Sequence, residues 1–223
     1  MKRLIVNADD YGLSPGIDRG IRALAALGVV TSVSVLAERA TAAAIGELRA
    51  VAPAVGIGLH VDFTHDLVHY DPRELMGRLQ RQLARFCELV GAPPDHLDTH
   101  KQTHRDHRAV LQVLATQQLP MRAPNARVRR ELRRLGVACP EHFVGSVAAR
   151  CALQGARLVA LCRTLGPGTT ELMCHPAEVF DGDERLTYKR QREAEFRALL
   201  AARLPERLAA QGVAAVSFRA LQR

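Results

Sequence analysis

Short apolar runs alternate along the chain with longer segments in which apolar residues recur at helical spacing. The apolar runs predict strands at residues 4–6, 29–36, 55–60, 96–99, 119–122, 171–174 and 213–217. The helical spacing predicts helices at residues 15–27, 39–51, 72–90, 105–117, 188–202 and 205–210, whereas residues 61–71 resemble a loop and 123–165 have no clear pattern. Seven such alternations are typical of a mainly parallel α/β fold.

The helix ends support these bounds. Ser14 is a typical N-cap residue, Pro15 suits a first helical position, and Gly28 suits the position after a helix. The chain has 223 residues, which fits a single domain over 1–223. An eight-unit barrel typically takes about 250 residues, so a short or incomplete barrel fits best, with a doubly wound open sheet as the alternative.

Polar residues with catalytic or ligating side chains follow four of the predicted strands. They are Asp9, Asp10, His60, His100 and His175. The carboxyl ends of parallel strands share one face, where active sites lie, so these side chains are expected to converge. Carboxylates and imidazoles together are ligands for a divalent metal ion, which polarises a carbonyl group and lowers the pKa of bound water.

Each of these residues also has a structural interpretation. Asp9 and Asp10 allow a division of labour between metal binding and proton transfer, but they also suit a turn or a helix cap. His60 follows an apolar run and suits a hydrogen-bonded core position. His104, four residues after His100, either shares a helix face that reaches the site or is a solvated first-turn residue. His96 is expected to be structural.

Composition limits the function classes. The formal net charge is +8, and residues 122–163 contain nine arginines against Glu131 and Glu141. Such a segment is a solvated helix face or a site for an anionic sugar, phosphate or lipid head group, whereas nucleic acid is disfavoured because no recognition motif accompanies it. No apolar run approaches the roughly 18 residues of a membrane span. Five widely spaced cysteines and the absence of a secretion signal favour a reduced, cytoplasmic protein.

Four ordered motifs carry a resemblance to a known family. LIVNADDYGLS, GIGLHVDFT, HLDTHKQTHRD and ELMCHPAE follow one another between residue 3 and about residue 200. The chain therefore resembles the YdjC-like family of carbohydrate deacetylases, which includes chitooligosaccharide deacetylases and hopanoid-associated members.

The resemblance implies a distorted TIM-like barrel with about seven parallel strands and one divalent metal ion. It implies Asp10, His60 and His100 as the metal ligands, and it brings magnesium as the ion, although ligand softness also suits zinc. It further implies Asp9 as the general base, His175 as the general acid or oxyanion stabiliser, and Arg122 as the residue that orients Asp9. The expected reaction is removal of acetyl groups from an N-acetylated sugar or short oligosaccharide.

The sequence departs from the family pattern in two respects. Relatives usually carry closely spaced histidines of the type HxHxH, but here the middle position is Gln102, which would change the wall of the sugar site. The chain has no Trp and only 4% aromatic residues, so a short or acidic glycan suits it better than a long neutral polymer. The candidate stacking residues are Tyr11, Phe63, Tyr70, Phe180 and Tyr188.

Two other functions stay open. The same site would support a metal-dependent amidase or esterase acting on a different small substrate, because one fold hosts many chemistries. A non-catalytic basic binding module is the second alternative. Tyr188 and Arg192 resemble a family segment near the site or a dimer contact, and relatives suggest a homodimer.

Overall fold

The computed structural model describes residues 1–63, 71–145, 155–178 and 188–222. Tyr70 and Phe180, two of the candidate stacking residues, lie outside these ranges, as does most of the predicted loop at 61–71. Among the described residues, no helix has both the length and the apolar character that a membrane crossing requires.

A parallel sheet organises the chain. The described residues form seven strands, which are β1 (Lys2–Tyr11), β2 (Ser32–Val35), β3 (Gly56–Val61), β4 (Leu97–Thr99), β5 (His142–Val144), β6 (Gly168–Cys174) and β7 (Val213–Ala215). Their order is β4-β3-β2-β1-β6-β5, and β7 pairs with the beginning of β1. Strands β1 to β6 therefore lie in chain order around a ring, in which β6 pairs again with β1 and a break separates β4 from β5. The molecule is therefore a single α/β domain with a curled sheet, a distorted and incomplete barrel, and the doubly wound alternative is wrong.

Helices connect the strands. In the described parts of the chain they are α1 (Pro15–Ala26), α2 (Ala42–Val51), α3 (Pro72–Val90), α4 (Thr103–Asp106), α5 (Arg108–Ala115), α6 (Ala126–Arg134), α7 (Gly155–Thr164), α8 (Lys189–Ala201) and α9 (Leu204–Ala210). Short 3-10 turns cover His100–Gln102 and Phe218–Leu221. The Ser14 side chain accepts a hydrogen bond from the Ile17 N–H, which satisfies an amide that the helix cannot, and Gly28 has a left-handed φ of 66°. The predicted bounds of α1 are confirmed.

Three predicted elements differ clearly from the structure. The first strand, predicted at 4–6, extends over Lys2–Tyr11, so Asp9 and Asp10 lie among its last residues rather than after it. The predicted helix at 105–117 is broken, because His107 has the extended backbone angles φ −114° and ψ 112° between α4 and α5. The predicted strand at 119–122 is reduced to a bridge between Met121 and Leu97. The Met121 amide also donates to the carbonyl of Ala138, so this segment crosses the break in the ring. It carries Arg122 into the interior, where the side chain has no exposed surface.

Candidate active site

A bulge in β1 turns two adjacent carboxylates toward one end of the sheet. The pairing of β1 with β2 shifts register between Ala8 and Tyr11, and Asp10 has a left-handed φ of 71°. Neighbouring residues of a regular strand point to opposite faces, so Asp9 and Asp10 would be separated without this irregularity. Both side chains are buried at the carboxyl end of the strand, and both contact histidines.

Asp10 forms the centre of a three-residue donor cluster. Its Oδ1 atom lies 3.0 Å from His100 Nδ1 and 3.3 Å from His60 Nε2. One donor atom from each residue falls within 4.8 Å of the others, and the two imidazole rings meet edge to face at 5.4 Å between centroids. One carboxylate and two imidazoles at this spacing fit a divalent metal ion with coordination positions left open. The structure thus brings together the three ligands that the family resemblance implied.

Asp98 orients one of these imidazoles. Nδ1 of His60 donates to Asp98 Oδ1 over 2.7 Å, so Nε2 is the nitrogen on the side of Asp10. Ser34 Oγ donates to Asp98 Oδ2 over 2.8 Å, and Arg122 Nη2 lies 2.8 Å from the same oxygen. A carboxylate behind a ligating histidine fixes its tautomer and ring orientation. Sequence reasoning missed Asp98, although the alternation of β4 puts it on the same side as His100.

Arg122 connects three carboxylates in the interior. Its Nη1 and Nη2 atoms donate to the two oxygens of Asp9 over 2.7 and 2.6 Å, and Nε donates to Glu171 Oε1 over 2.7 Å. Asn7 Nδ2 also donates to Asp9 Oδ1, over 2.8 Å. The bidentate pair holds the Asp9 carboxylate in one orientation.

Burial and neighbouring charges act on the pKa values of this network in opposite directions. Burial raises the pKa of Glu171 to about 7, even though Arg122 lowers it. Burial also disfavours the charged form of Asp98, but Arg122 and His60 hold its pKa well below the usual range. A pKa of about 7 means that Glu171 changes protonation near neutral pH.

The donor cluster itself is ion-paired. Burial disfavours a charged Asp10, yet hydrogen bonds from His100 and His60 hold its pKa well below the ordinary value. Burial likewise disfavours a protonated His60, but Asp98 and Asp9 hold its pKa well above the ordinary value. A ligating imidazole nitrogen carries no proton, so a metal ion held by His60 would displace one.

His175 lies on the more accessible side of Asp9. It follows the end of β6, its side chain is 22% exposed, and its Nε2 atom lies 3.7 Å from Asp9 Oδ2. Its backbone N–H donates to Glu195 Oε2 over 2.6 Å, so α8 fixes the position of this segment. Burial raises the pKa of Glu195. Glu195 was another residue that the strand-end pattern did not identify, because it reaches the site from a helix.

A second helix residue contacts the cluster. Arg192 of α8 is 6% exposed, and its Nη2 atom donates to Asp10 Oδ2 over 2.5 Å. The sequence indicated this segment only through its family resemblance. The Oδ1 atom of Asp10 thus faces the two histidines, while Oδ2 faces a guanidinium group.

The three residues expected to bind substrate do not share this position. Tyr11 has no exposed surface and donates from its hydroxyl to the carbonyl of Ala44 over 2.6 Å, so its expected role as a sugar-stacking residue is wrong. Phe63 is likewise buried. His104 is buried with Nδ1 2.7 Å from Thr99 Oγ1, so it is neither solvated nor on an accessible wall of the site. Tyr188 is 54% exposed at the start of α8.

Gln102 and the basic segment also have defined surroundings. Gln102 is buried, with a left-handed φ of 54°, and donates from Nε2 to Met173 Sδ over 3.3 Å. On α6, Val128 and Leu132 are buried while Arg130, Arg133 and Arg134 are exposed, which favours the solvated-face interpretation of these arginines.

Comparison with known proteins identifies the family of this chain. Residues 3–210 match the family described as YdjC-like protein. A chitooligosaccharide deacetylase of Serratia marcescens is 30% identical, with 99% of each chain covered. A carbohydrate deacetylase of Geobacillus stearothermophilus is 29% identical, with 96% of each chain covered.

Solved structures support the fold. A protein of Enterococcus faecalis V583 superimposes with a TM-score of 0.87 at 23% identity, covering 99% of this chain and 98% of that one. A family 4 carbohydrate esterase of Streptomyces lividans has a TM-score of 0.61 at 12% identity, with 96% and 91% covered. At these identities the likeness shows that all three chains share the distorted barrel.

Proposed function

The chain belongs to the YdjC-like protein family, and on that premise we propose that it is a metal-dependent hydrolase that removes acetyl groups from an N-acetylated sugar or short oligosaccharide. One observation carries the proposal. A carboxylate held by a buried arginine, Asp9, lies next to the Asp10, His60 and His100 cluster and within 3.7 Å of His175. The residues that we assign as base, acid and metal ligands thus lie at one end of the sheet.

The roles follow from the surroundings of each residue. A divalent ion held by Asp10, His60 and His100 would polarise the acetyl carbonyl and lower the pKa of water. Asp9 accepts the proton of the attacking water, and Arg122 keeps that carboxylate oriented for the transfer. Asp98 fixes the His60 ring, so that Nε2 is available as a ligand.

His175 completes the reaction as the general acid. The oxygen of water forms a bond to the acyl carbon, the carbon–nitrogen bond breaks, and the departing nitrogen takes a proton from His175. The products are acetate and an amino sugar. The exposure of His175 and the anchoring of its backbone by Glu195 support this assignment, because a proton donor to a leaving group must face the substrate.

We propose magnesium as the ion, with zinc as the competing choice. The family resemblance implies magnesium. Two of the three ligands are imidazoles, however, and imidazole is a softer ligand that suits zinc better than magnesium. Relatives named as chitooligosaccharide and carbohydrate deacetylases support a sugar substrate. The burial of Tyr11 and Phe63 removes two stacking platforms and favours a short glycan over a long one. We also propose a homodimer, which light scattering would test.

The decisive experiment measures acetate release from N-acetylated mono- and disaccharides. Metal-stripped protein receives Mg²⁺, Zn²⁺, Co²⁺ or Mn²⁺, and an O-acetylated sugar serves as the parallel substrate. We expect metal-dependent acetate release from the amide, abolished in Asp9→Asn and His100→Ala proteins that retain the wild-type fold by circular dichroism. Release from the ester alone would replace the deacetylase proposal with an esterase, and full activity in both variants would refute the mechanism.

A further inference from the structure

Arg192, which contacts the donor cluster, carries more buried hydrogen-bond donors than the protein uses. Its Nη2 atom donates to Asp10 Oδ2 over 2.5 Å. Its Nε and Nη1 atoms are also buried, and neither has a hydrogen-bond acceptor among the residues that the structure describes. Buried guanidinium donors are normally satisfied, because desolvating a charged donor without an acceptor is costly.

The backbone of α8 holds this guanidinium group in place. The carbonyl of Arg192 accepts a hydrogen bond from the Ala177 N–H over 3.2 Å, and Glu195, one turn later, accepts from the His175 N–H over 2.6 Å. Two hydrogen bonds therefore fasten this turn of α8 to the segment that carries His175. The unused donors of Arg192 belong to a rigid part of the molecule, adjacent to a ligand of the metal cluster.

The charge balance of the site favours an anionic ligand. Five buried ionic groups of the connected network are three carboxylates and two guanidinium groups, those of Asp9, Asp10, Asp98, Arg122 and Arg192. These groups leave one negative charge, and Glu171 adds none while it is protonated. Metal ligation requires neutral imidazoles, so a divalent ion would turn this total into one positive charge. Without Arg192 the loaded site would be neutral.

We propose that Arg192 is the anion-binding residue of this site, whose Nε or Nη1 atom donates to a carboxylate oxygen or to an acyl oxygen that gains negative charge, while Nη2 stays on Asp10. This inference rests on the proposed deacetylase function, in which acetate is the carboxylate that the site produces. Donors placed where negative charge develops stabilise that charge in a buried site. The planar guanidinium group can hold Asp10 through Nη2 and still direct a second N–H group at a fixed angle toward the anion, whereas the ammonium group of a lysine has no such fixed geometry.

The test compares Arg192→Gln and Arg192→Lys with the wild-type protein, and Arg197→Gln serves as the matched control. Arg197 lies on the same helix with its side chain 74% exposed, paired with Glu193. Acetate is the probe. Binding is measured without turnover, from the line width of the acetate methyl protons as metal-loaded protein is added. Isothermal titration of the metal ion gives the metal affinity of each variant.

We expect Arg192→Gln to weaken acetate binding at least tenfold and to leave metal binding as tight or tighter, because one positive charge near the ion is removed. Arg192→Lys should bind acetate about threefold more weakly than wild type, and Arg197→Gln should bind it as tightly as wild type. Unchanged acetate binding in Arg192→Gln would overturn the inference, as would a loss of metal binding, which would make Arg192 only a support for Asp10. If Arg192→Gln does not fold, the Lys variant decides by the same criteria.

Failure of this inference is distinguishable from failure of the proposed function. Wild-type protein that binds acetate but releases none from any acetylated sugar would refute the deacetylase and keep the anion site. Suppose instead that wild-type protein releases acetate from an acetylated sugar and that Arg192→Gln binds acetate as tightly as wild type. That result would support the deacetylase and refute the anion site. If Arg192 binds the anion, kcat of Arg192→Gln should fall by a larger factor than KM rises, because the lost donors act mainly on charge that develops during the reaction.

Discussion

His60 and Asp98 form a hydrogen bond of 2.7 Å between Nδ1 and Oδ1, and neither residue has more than about 1% exposed surface. The pair joins the metal cluster to the interior network, because Asp98 Oδ2 also accepts from Ser34 and lies beside Arg122. The orientation of a metal ligand is thus linked to the group that holds the general base. A change at Asp98 should affect both.

We predict that Asp98→Asn weakens binding of the divalent ion about 10- to 100-fold, the usual effect of losing a partner behind a ligating histidine. The amide is a poorer acceptor for the Nδ1–H group and allows the ring to take the other tautomer. Isothermal titration of metal-stripped protein measures the effect. Asp106→Asn is the control, since Asp106 pairs with Arg105 at the surface. Equal metal affinity in the Asp98 variant and the control would contradict the role given to Asp98.

Arg122 should stabilise the fold as well as orient Asp9. It is fully buried and contacts Asp9, Asp98 and Glu171 within 2.8 Å. Removing one partner of a buried ion pair leaves charges without compensation and costs about 3–5 kcal/mol. We expect Arg122→Met to lower the free energy of unfolding in urea by at least that amount, whereas Arg130→Met on the exposed face of α6 should change it by less than about 0.5 kcal/mol. A loss below about 1 kcal/mol for Arg122→Met would contradict the prediction.

Much of this fold was predictable because its elements carry local signals. Ser14 and Pro15 mark the beginning of α1 and Gly28 marks its end. The buried strands correspond to apolar runs in the sequence. The alternation of apolar runs with helical segments is enough to place five residues at or near strand ends, namely Asp9, Asp10, His60, His100 and His175. Parallel topology turns these distant positions into neighbours, so the main site residues were identifiable before any coordinates.

The remaining site residues depend on contacts that no local pattern encodes. Arg122 comes from a segment that bridges the break in the sheet rather than from a strand, and only the family resemblance indicated it. Asp98, Arg192 and Glu195 derive their roles from neighbours across the sheet or on another element. The burial of Tyr11 has a similar cause, because the bulge at Asp10 changes the side toward which the following residue points.

A pH-dependent contribution to stability is expected from Asp18. Burial raises its pKa to about 6, although it accepts a hydrogen bond of 2.6 Å from the Gly12 N–H. The unfolded value is about 3.9, so between pH 4 and 6 the folded chain binds this proton more tightly. The stabilisation from Asp18 is therefore complete below about pH 4 and is lost as the pH rises through about 6, a change of about 3 kcal/mol.

Asp18→Asn tests that expectation, because the amide keeps an acceptor for Gly12 and does not titrate. We expect the variant to gain stability relative to wild type as the pH rises from 4 to 7, as measured by urea unfolding at fixed ionic strength. The difference between the two proteins isolates Asp18 from the other groups that titrate in this range. A difference that stays constant with pH would show that the folded Asp18 has an ordinary pKa.

The close approach of β3 to His96 gives the last prediction. A Cβ atom on Gly58 would lie 2.2 Å from Cε1 of the His96 ring, which is stacked on Phe218 at 3.9 Å between centroids and accepts or donates at Ser34 Oγ over 3.0 Å. The ring is buried and cannot move without breaking this hydrogen bond, so Gly58→Ala should destabilise the protein by about 1–3 kcal/mol through overpacking.

Gly46→Ala is the matched control, because a Cβ there meets no atom within 4 Å and Gly46 lies inside α2. That substitution should stabilise the chain by about 0.5–1 kcal/mol, since alanine loses less conformational freedom in a helix. Thermal unfolding of both variants checks the pair, and a Gly58→Ala protein as stable as wild type would mean that the His96 ring has room to shift.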